Sequence, residues 1–122
     1  MYWNNIVPFE TLVGKTLENV TEDGLEVDFK VSETERYRLF HDQDCCESVY
    51  IESIDGDLND LIGTPIIMAE EVSNADEGPL SEWEDSFTWT FYKLATIKGY
   101  VTIRFYGSSN GYYSESVDFI KV

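Results

Sequence analysis

The residues best equipped for chemistry lie in one short run, His41-Asp42-Gln43-Asp44-Cys45-Cys46-Glu47-Ser48. It holds the chain's one histidine, both of its cysteines and three carboxylates. Zinc is the first chemistry to weigh. It asks for three or four N, S or O ligands in a tetrahedron. His41, with Cys45 or Cys46 and an acid, supplies part of such a set. The spacing matches no standard zinc motif, adjacent cysteines tend to point apart, and the chain has no second Cys/His pair. Thiol chemistry is the second. A thiolate nucleophile needs a base or a positive environment, whereas Asp42, Asp44 and Glu47 surround these thiols with negative charge. The segment therefore argues against catalysis through cysteine. Its structural reading is that one cysteine packs as a small hydrophobe and His41 ends a strand on a hydrogen bond.

A second acidic run, Asp55-Gly56-Asp57-Leu58-Asn59-Asp60, places Asp55, Asp57 and Asn59 at alternate positions, as at the start of a calcium loop. The sixth position is Asp60 rather than Gly and the twelfth is Ile66 rather than Glu, so an EF-hand does not fit. Local capping of a short helix accounts for these acids better. Asp55 or Asp57 would begin it and Gly63 would end it.

A third group is aromatic. On the stretch from Ser86 to Tyr106, Trp89, Tyr100, Arg104 and Tyr106 share one face with Phe91 and Lys93. Aromatic faces interleaved with cations can stack bases. The same residues are equally explained by burial and cation–π packing.

Charge narrows the partners. The chain has 122 residues and a formal charge of −16, with 24 Asp and Glu against eight Lys and Arg. From Leu39 to Tyr92 there are 14 acids and no Lys or Arg. Such a chain repels duplex nucleic acid and anionic membranes and favours cations, metals or basic protein surfaces. Acids held on a rigid fold can occupy a groove built for phosphates, since DNA-binding proteins contact phosphates mainly through Lys and Arg. Alternate residues of a strand repeat at roughly 6.6 Å. This gives the leading expectation: a non-enzymatic protein that binds a basic protein surface, with DNA mimicry as a special case. The residues expected to form that surface are Asp42, Asp44, Glu47, Asp55, Asp57 and Asp60.

The elements that must position these groups are mostly strands. Leu25 to Val31 alternates apolar and charged residues, as does Arg36 to Leu39. Pairing Val27 with Tyr37 sets Glu26 opposite Arg38 and Asp28 opposite Arg36. Thr16 to Val20 and Val49 to Ile51 read as strands, and Ile66 to Ala69 as a short buried one. Ser73 to Glu84, with Gly78-Pro79, is a surface loop and the most mobile part. Ser86 to Ile97 and Tyr100 to Tyr106 form a hairpin about Lys98-Gly99, with Leu94 opposite Ile103. Tyr92, Leu94, Val101, Ile103 and Phe105 make its core face. Asn110-Gly111 turns the chain into a last strand, Ser114 to Val122. The expected class is α+β, mainly antiparallel sheet with one or two short helices, as a single compact domain over residues 1–122.

Three stretches carry a resemblance: His41 to Ile51, Gly56 to Gly63, and Trp89 to Tyr113. Over roughly residues 14–119 the chain resembles a family of small uncharacterised proteins encoded by bacteriophages and prophages. The resemblance implies a phage origin and action in a bacterial host. It carries no activity and no catalytic role for any residue. The partner expected is then a host protein with a basic surface, with a defence or DNA-binding factor as a special case, met in the host cytoplasm. No apolar run approaches a membrane span, Met1 to Asn5 lacks the start of a signal peptide, and the cysteines are expected as free thiols in a reducing compartment. No cofactor is expected; zinc at His41, Cys45 and Cys46 is the alternative.

Overall fold

In the computed structural model, residues 5–73 and 78–122 are described. The chain folds as two four-stranded antiparallel sheets packed face to face. The first sheet has the order β1 (Asn19–Glu22), β2 (Val27–Ser32), β3 (Glu35–Phe40), β8 (Asp118–Lys121). The second has the order β4 (Ser48–Asp55), β7 (Gly99–Ser109), β6 (Ser86–Thr96), β5 (Met68–Ser73). Val27, Phe29, Tyr37, Leu39 and Phe119 of the first sheet meet Tyr92, Leu94, Val101, Ile103 and Phe105 of the second. Inward and outward residues alternate along each strand, so each sheet gives one face to this core.

The helices of the expected α+β class are the main correction. Among the described residues the only helical elements longer than a residue are two four-residue 3-10 turns, Phe9–Leu12 and Leu58–Leu61. The second lies between Gly56 and Gly63, both at positive φ, which leaves no room for an α-helix to propagate. Its start is as expected: the Asp57 carboxylate accepts from the Asn59 amide at 2.9 Å. The first follows Pro8 and pushes Phe9 between the sheets. The Phe9 ring meets Tyr92, Phe119 and Phe29 edge-on, with centroids 4.9, 5.1 and 6.3 Å away.

Both expected hairpins form, each with its register displaced by two. Val27 pairs with Leu39 and Phe29 with Tyr37, so Asp28 faces Arg38 and Lys30 faces Arg36. The turn is Glu33-Thr34, and a bulge between Lys30 and Ser32 shifts the ladder by one. Without that extra residue the two-residue turn would set Phe29 opposite Arg38 and break the core face. In the long hairpin the turn is Ile97-Lys98, so Leu94 pairs with Val101 and Tyr92 with Ile103. A shift of two preserves parity, and the expected core face is the buried one.

Two differences concern ends and crossings. The strand expected at Val49–Ile51 runs eight residues, and the one expected at Ile66 begins at Met68, with Ile66 buried and Ile67 exposed. Asn110-Gly111 does not close a hairpin. The chain leaves β7 there, crosses to the other sheet and pairs as β8 with β3. The loop expected over Ser73–Glu84 is described from Gly78 onward; positions 74–77, like 1–4, lie outside the described residues. No helix among the described residues is long and apolar enough to cross a membrane.

Candidate functional site: two crossovers pinned by a histidine

The His41–Glu47 segment is the crossover from β3 in the first sheet to β4 in the second. The return crossover, Asn110–Val117, runs from β7 back to β8. Both lie at one end of the sandwich, because Ser48 pairs with Ser108 and Phe40 pairs with Asp118.

His41 ties them together. Its Nδ1 lies 2.6 Å from the Ser116 carbonyl oxygen and its Nε2 2.6 Å from Glu47 Oε2. The two side chains are 4% and 0% exposed. The Glu47 carboxylate also accepts the amides of Asp44 at 2.8 Å and Cys45 at 2.9 Å. The Gln43 side chain donates to the Glu47 carbonyl at 2.7 Å. The Asp44 amide is the chief reason the Glu47 pKa is held down to about 2; burial opposes it, and the Cys45 amide and His41 add to it. Glu47 is therefore an anion at neutral pH. A carbonyl and a carboxylate both only accept, so each ring nitrogen of His41 faces an acceptor.

This geometry corrects two expectations. Glu47 is buried and cannot form part of a contact surface; it is the centre around which the turn is built. The cysteines are not free thiols, and neither packs in the core. Both are exposed, and Cys45 and Cys46 are joined by a disulfide. The turn that aims the Asp44 and Cys45 amides at Glu47 leaves both cysteines on its outside. As for zinc, both His41 nitrogens are engaged by Ser116 and Glu47, and among the described residues no group of three or more His, Cys, Asp or Glu side chains is placed to hold an ion.

A second buried acid, Glu115, escaped sequence reasoning. It accepts from Thr88 Oγ1 at 2.7 Å and Ser109 Oγ at 2.5 Å. Burial pushes its pKa up, but the hydroxyls of Ser109, Thr88 and Ser86 outweigh this and lower it. Gly107 permits the approach: a Cβ there would lie 2.9 Å from the Cβ of Glu115. The available signal was parity, since Glu115 shares its phase with the inward Val117 and Phe119.

The other candidate acids divide. Asp42 and Asp44 are exposed on the outgoing crossover. Asp55, the last residue of β4, and Asp57 just past it are also exposed, at the far end of an eight-residue strand and so roughly 25 Å away. Asp60 is beside them, half-buried, with its carbonyl accepting from Thr96 Oγ1 at 2.5 Å. The six do not form one surface. Asp42 and Asp44 instead join acids that the sequence reading left out. The β1–β2 turn reaches the same end of the first sheet, since Glu22 pairs with Val27 and Val27 with Leu39. Glu22, Asp23, Glu26 and Asp28 stand there, with Asp118 at the start of β8. Among the described residues Arg38 is the one cation at this end, 2.6 Å from Asp28 and 3.8 Å from Glu26. Asp23 is fixed by the Leu25 and Glu26 amides at 3.0 and 2.9 Å, and the bond from Glu26 leads those that lower its pKa.

The aromatic face is divided too. Trp89 and Tyr106 are buried beneath the segment from Gly78 to Leu80: the indole donates to the Gly78 carbonyl at 2.9 Å, and the Leu80 amide donates to the Tyr106 oxygen at 3.0 Å. The Arg104 guanidinium lies 5.1 Å from the ring centres of both Trp89 and Phe91. Tyr100 is 75% exposed and stands far along the sheet, opposite Ala95. The four residues form no common platform.

With this geometry in view, a family model described as "Domain of unknown function (DUF7448)" matches residues 10–119. The chain belongs to the DUF7448 family. The match takes in both crossovers, β1 to β7 and the start of β8. No curated protein and no solved structure matches the DUF7448 chain.

Proposed function

We propose that this DUF7448 protein is a non-enzymatic, phage-type protein that binds a basic surface of a bacterial host protein through the acidic end of its first sheet. The observation that carries this reading is the uneven distribution of charge. Glu22, Asp23, Glu26, Asp28, Asp42, Asp44 and Asp118 gather at one end with Arg38 as their one cation among the described residues. Farther along the same sheet, Lys15, Lys30 and Arg36 stand among its acids, paired with Glu35, Glu18 and Glu33. The acidic end is also firmly held. Backbone amides fix Asp23, and the Glu47–His41 bond fixes the crossover that carries Asp42 and Asp44. Fixed charges bind a complementary surface without first being ordered.

The test is capture from a bacterial lysate on the immobilised protein, alongside an Asp23→Asn/Asp42→Asn/Asp44→Asn variant. Asparagine at position 23 still accepts the turn amides, so the fold is kept. The wild-type chain should retain a partner at about 0.1 M salt and release it near 1 M, where the Debye length falls from about 10 Å to about 3 Å. The variant should not retain it. A partner held equally at both salt concentrations, or equally by the variant, overturns the proposal.

A further inference from the structure

The outer face of the first sheet carries a depression of about 190 Å3 whose walls include Asn19, Thr21, Asp28, Lys30, Arg36 and Arg38. The register explains why they meet. Asn19, Lys30 and Arg36 form one cross-strand row, and Thr21, Asp28 and Arg38 form the next. Three of the chain's eight cations therefore stand side by side on a protein of charge −16.

Their internal partners leave guanidinium donors unused. Arg38 gives Nε to Asp28 at 2.6 Å, and neither of its Nη groups makes a hydrogen bond among the described residues. Arg36 has one ion pair, to Glu33 at 3.6 Å, and no side-chain hydrogen bond among the described residues. Lys30 is drawn to the rim by Glu33 at 2.6 Å and Glu18 at 3.4 Å. Two guanidinium groups two residues apart on one strand can converge on a single acceptor. Their planar forks suit the paired oxygens of a carboxylate or phosphoryl group.

We propose that this depression binds one compact oxyanion, phosphoryl or carboxylate, between Arg36 and Arg38, with Lys30 at the rim. The acids around it set the size of the ligand. Asp28, Glu26 and Glu33 repel a second anionic group, so a polyanion such as nucleic acid is refused while a single small one is taken.

The experiment is an amide-shift titration of the full chain with sodium phosphate and, separately, sodium acetate, each against sodium chloride at matched ionic strength. Saturable shifts confined to residues 19–21, 28–30 and 36–38 are expected. Saturation with phosphate alone identifies a phosphoryl ligand, and with acetate alone a carboxylate; either supports the site. Arg36→Gln, which leaves the Asp28–Arg38 bond in place, should weaken binding about tenfold, the loss of one charge-assisted contact. The Asp23→Asn/Asp42→Asn/Asp44→Asn variant should bind the oxyanion undiminished, so failure of the acidic-end reading would not be mistaken for failure of this one. Shifts no larger than those in chloride, or an Arg36→Gln variant that binds unchanged, overturn the proposal.

Discussion

His41 Nε2 stands 2.6 Å from Glu47 Oε2, and through this contact the two crossovers of the sandwich are held to each other. The imidazole joins the outgoing crossover, through Glu47, to the returning one, through the Ser116 carbonyl. Both partners are acceptors, so the ring bridges them from its two nitrogens. His41→Gln offers a single amide group and cannot reach both acceptors. It should destabilise the fold more than Asp42→Asn on the exposed side of the same loop, as read by urea midpoints. A urea midpoint for His41→Gln no lower than that of Asp42→Asn would refute this role.

Acid stability follows from Glu47. Its folded pKa is about 2, against an ordinary 4.5. A carboxyl depressed on folding contributes stability that is fully present above its unfolded value. That contribution is lost as pH falls through the folded value. The chain should therefore lose stability between about pH 4.5 and pH 2, and Glu115, lowered in the same direction, should add to the loss. Urea unfolding at a series of pH values measures this. Glu47→Gln should flatten the slope in that window; an unchanged slope would mean that Glu47 does not govern it.

How much of this was legible in the sequence depends on the length scale of each signal. Strand faces were legible, because alternation is local: Val27 and Phe29 point inward, as do Leu94 and Ile103. Registers were not, because they turn on one residue in a turn or bulge, at Ile97-Lys98 and between Lys30 and Ser32. The absence of an α-helix after Asp57 was partly visible in the glycines that bound it. The site was half legible. The unusual composition of His41–Glu47 marked the right segment, but nothing local says that Glu47 turns inward while Asp42 and Asp44 turn out. That outcome depends on the Ser116 carbonyl, 75 residues from His41. The acidic end was illegible for the same reason, since it joins Asp23 to Asp42 through the pairing of three strands.

Phe9 joins the two halves of the core. It is 2% exposed and touches rings from both sheets, Phe29 and Phe119 on one side and Tyr92 on the other. Truncation leaves a cavity that the strands cannot close without losing their ladders. Phe9→Ala should cost about 3–5 kcal/mol, measured by urea or thermal unfolding. Phe9→Leu, which keeps more of the volume, should cost less. A loss near zero for Phe9→Ala would place the ring outside the core.

Tyr106 tests the cover over the second sheet. Its hydroxyl oxygen accepts the Leu80 amide at 3.0 Å, while its ring packs edge-on against Trp89 with centroids 4.7 Å apart. Tyr106→Phe removes the bond and keeps the ring. The expected cost is roughly 1 kcal/mol, and it should fall on the covering segment rather than on the ladder. Limited proteolysis should then cut faster within Gly78–Asp85, and Trp89, whose indole donates to the Gly78 carbonyl, should become more accessible to a fluorescence quencher. Trp83 is already 85% exposed, so a Trp83→Phe background isolates much of the change. Unaltered cleavage and quenching would show that the Trp89–Gly78 bond alone holds the cover.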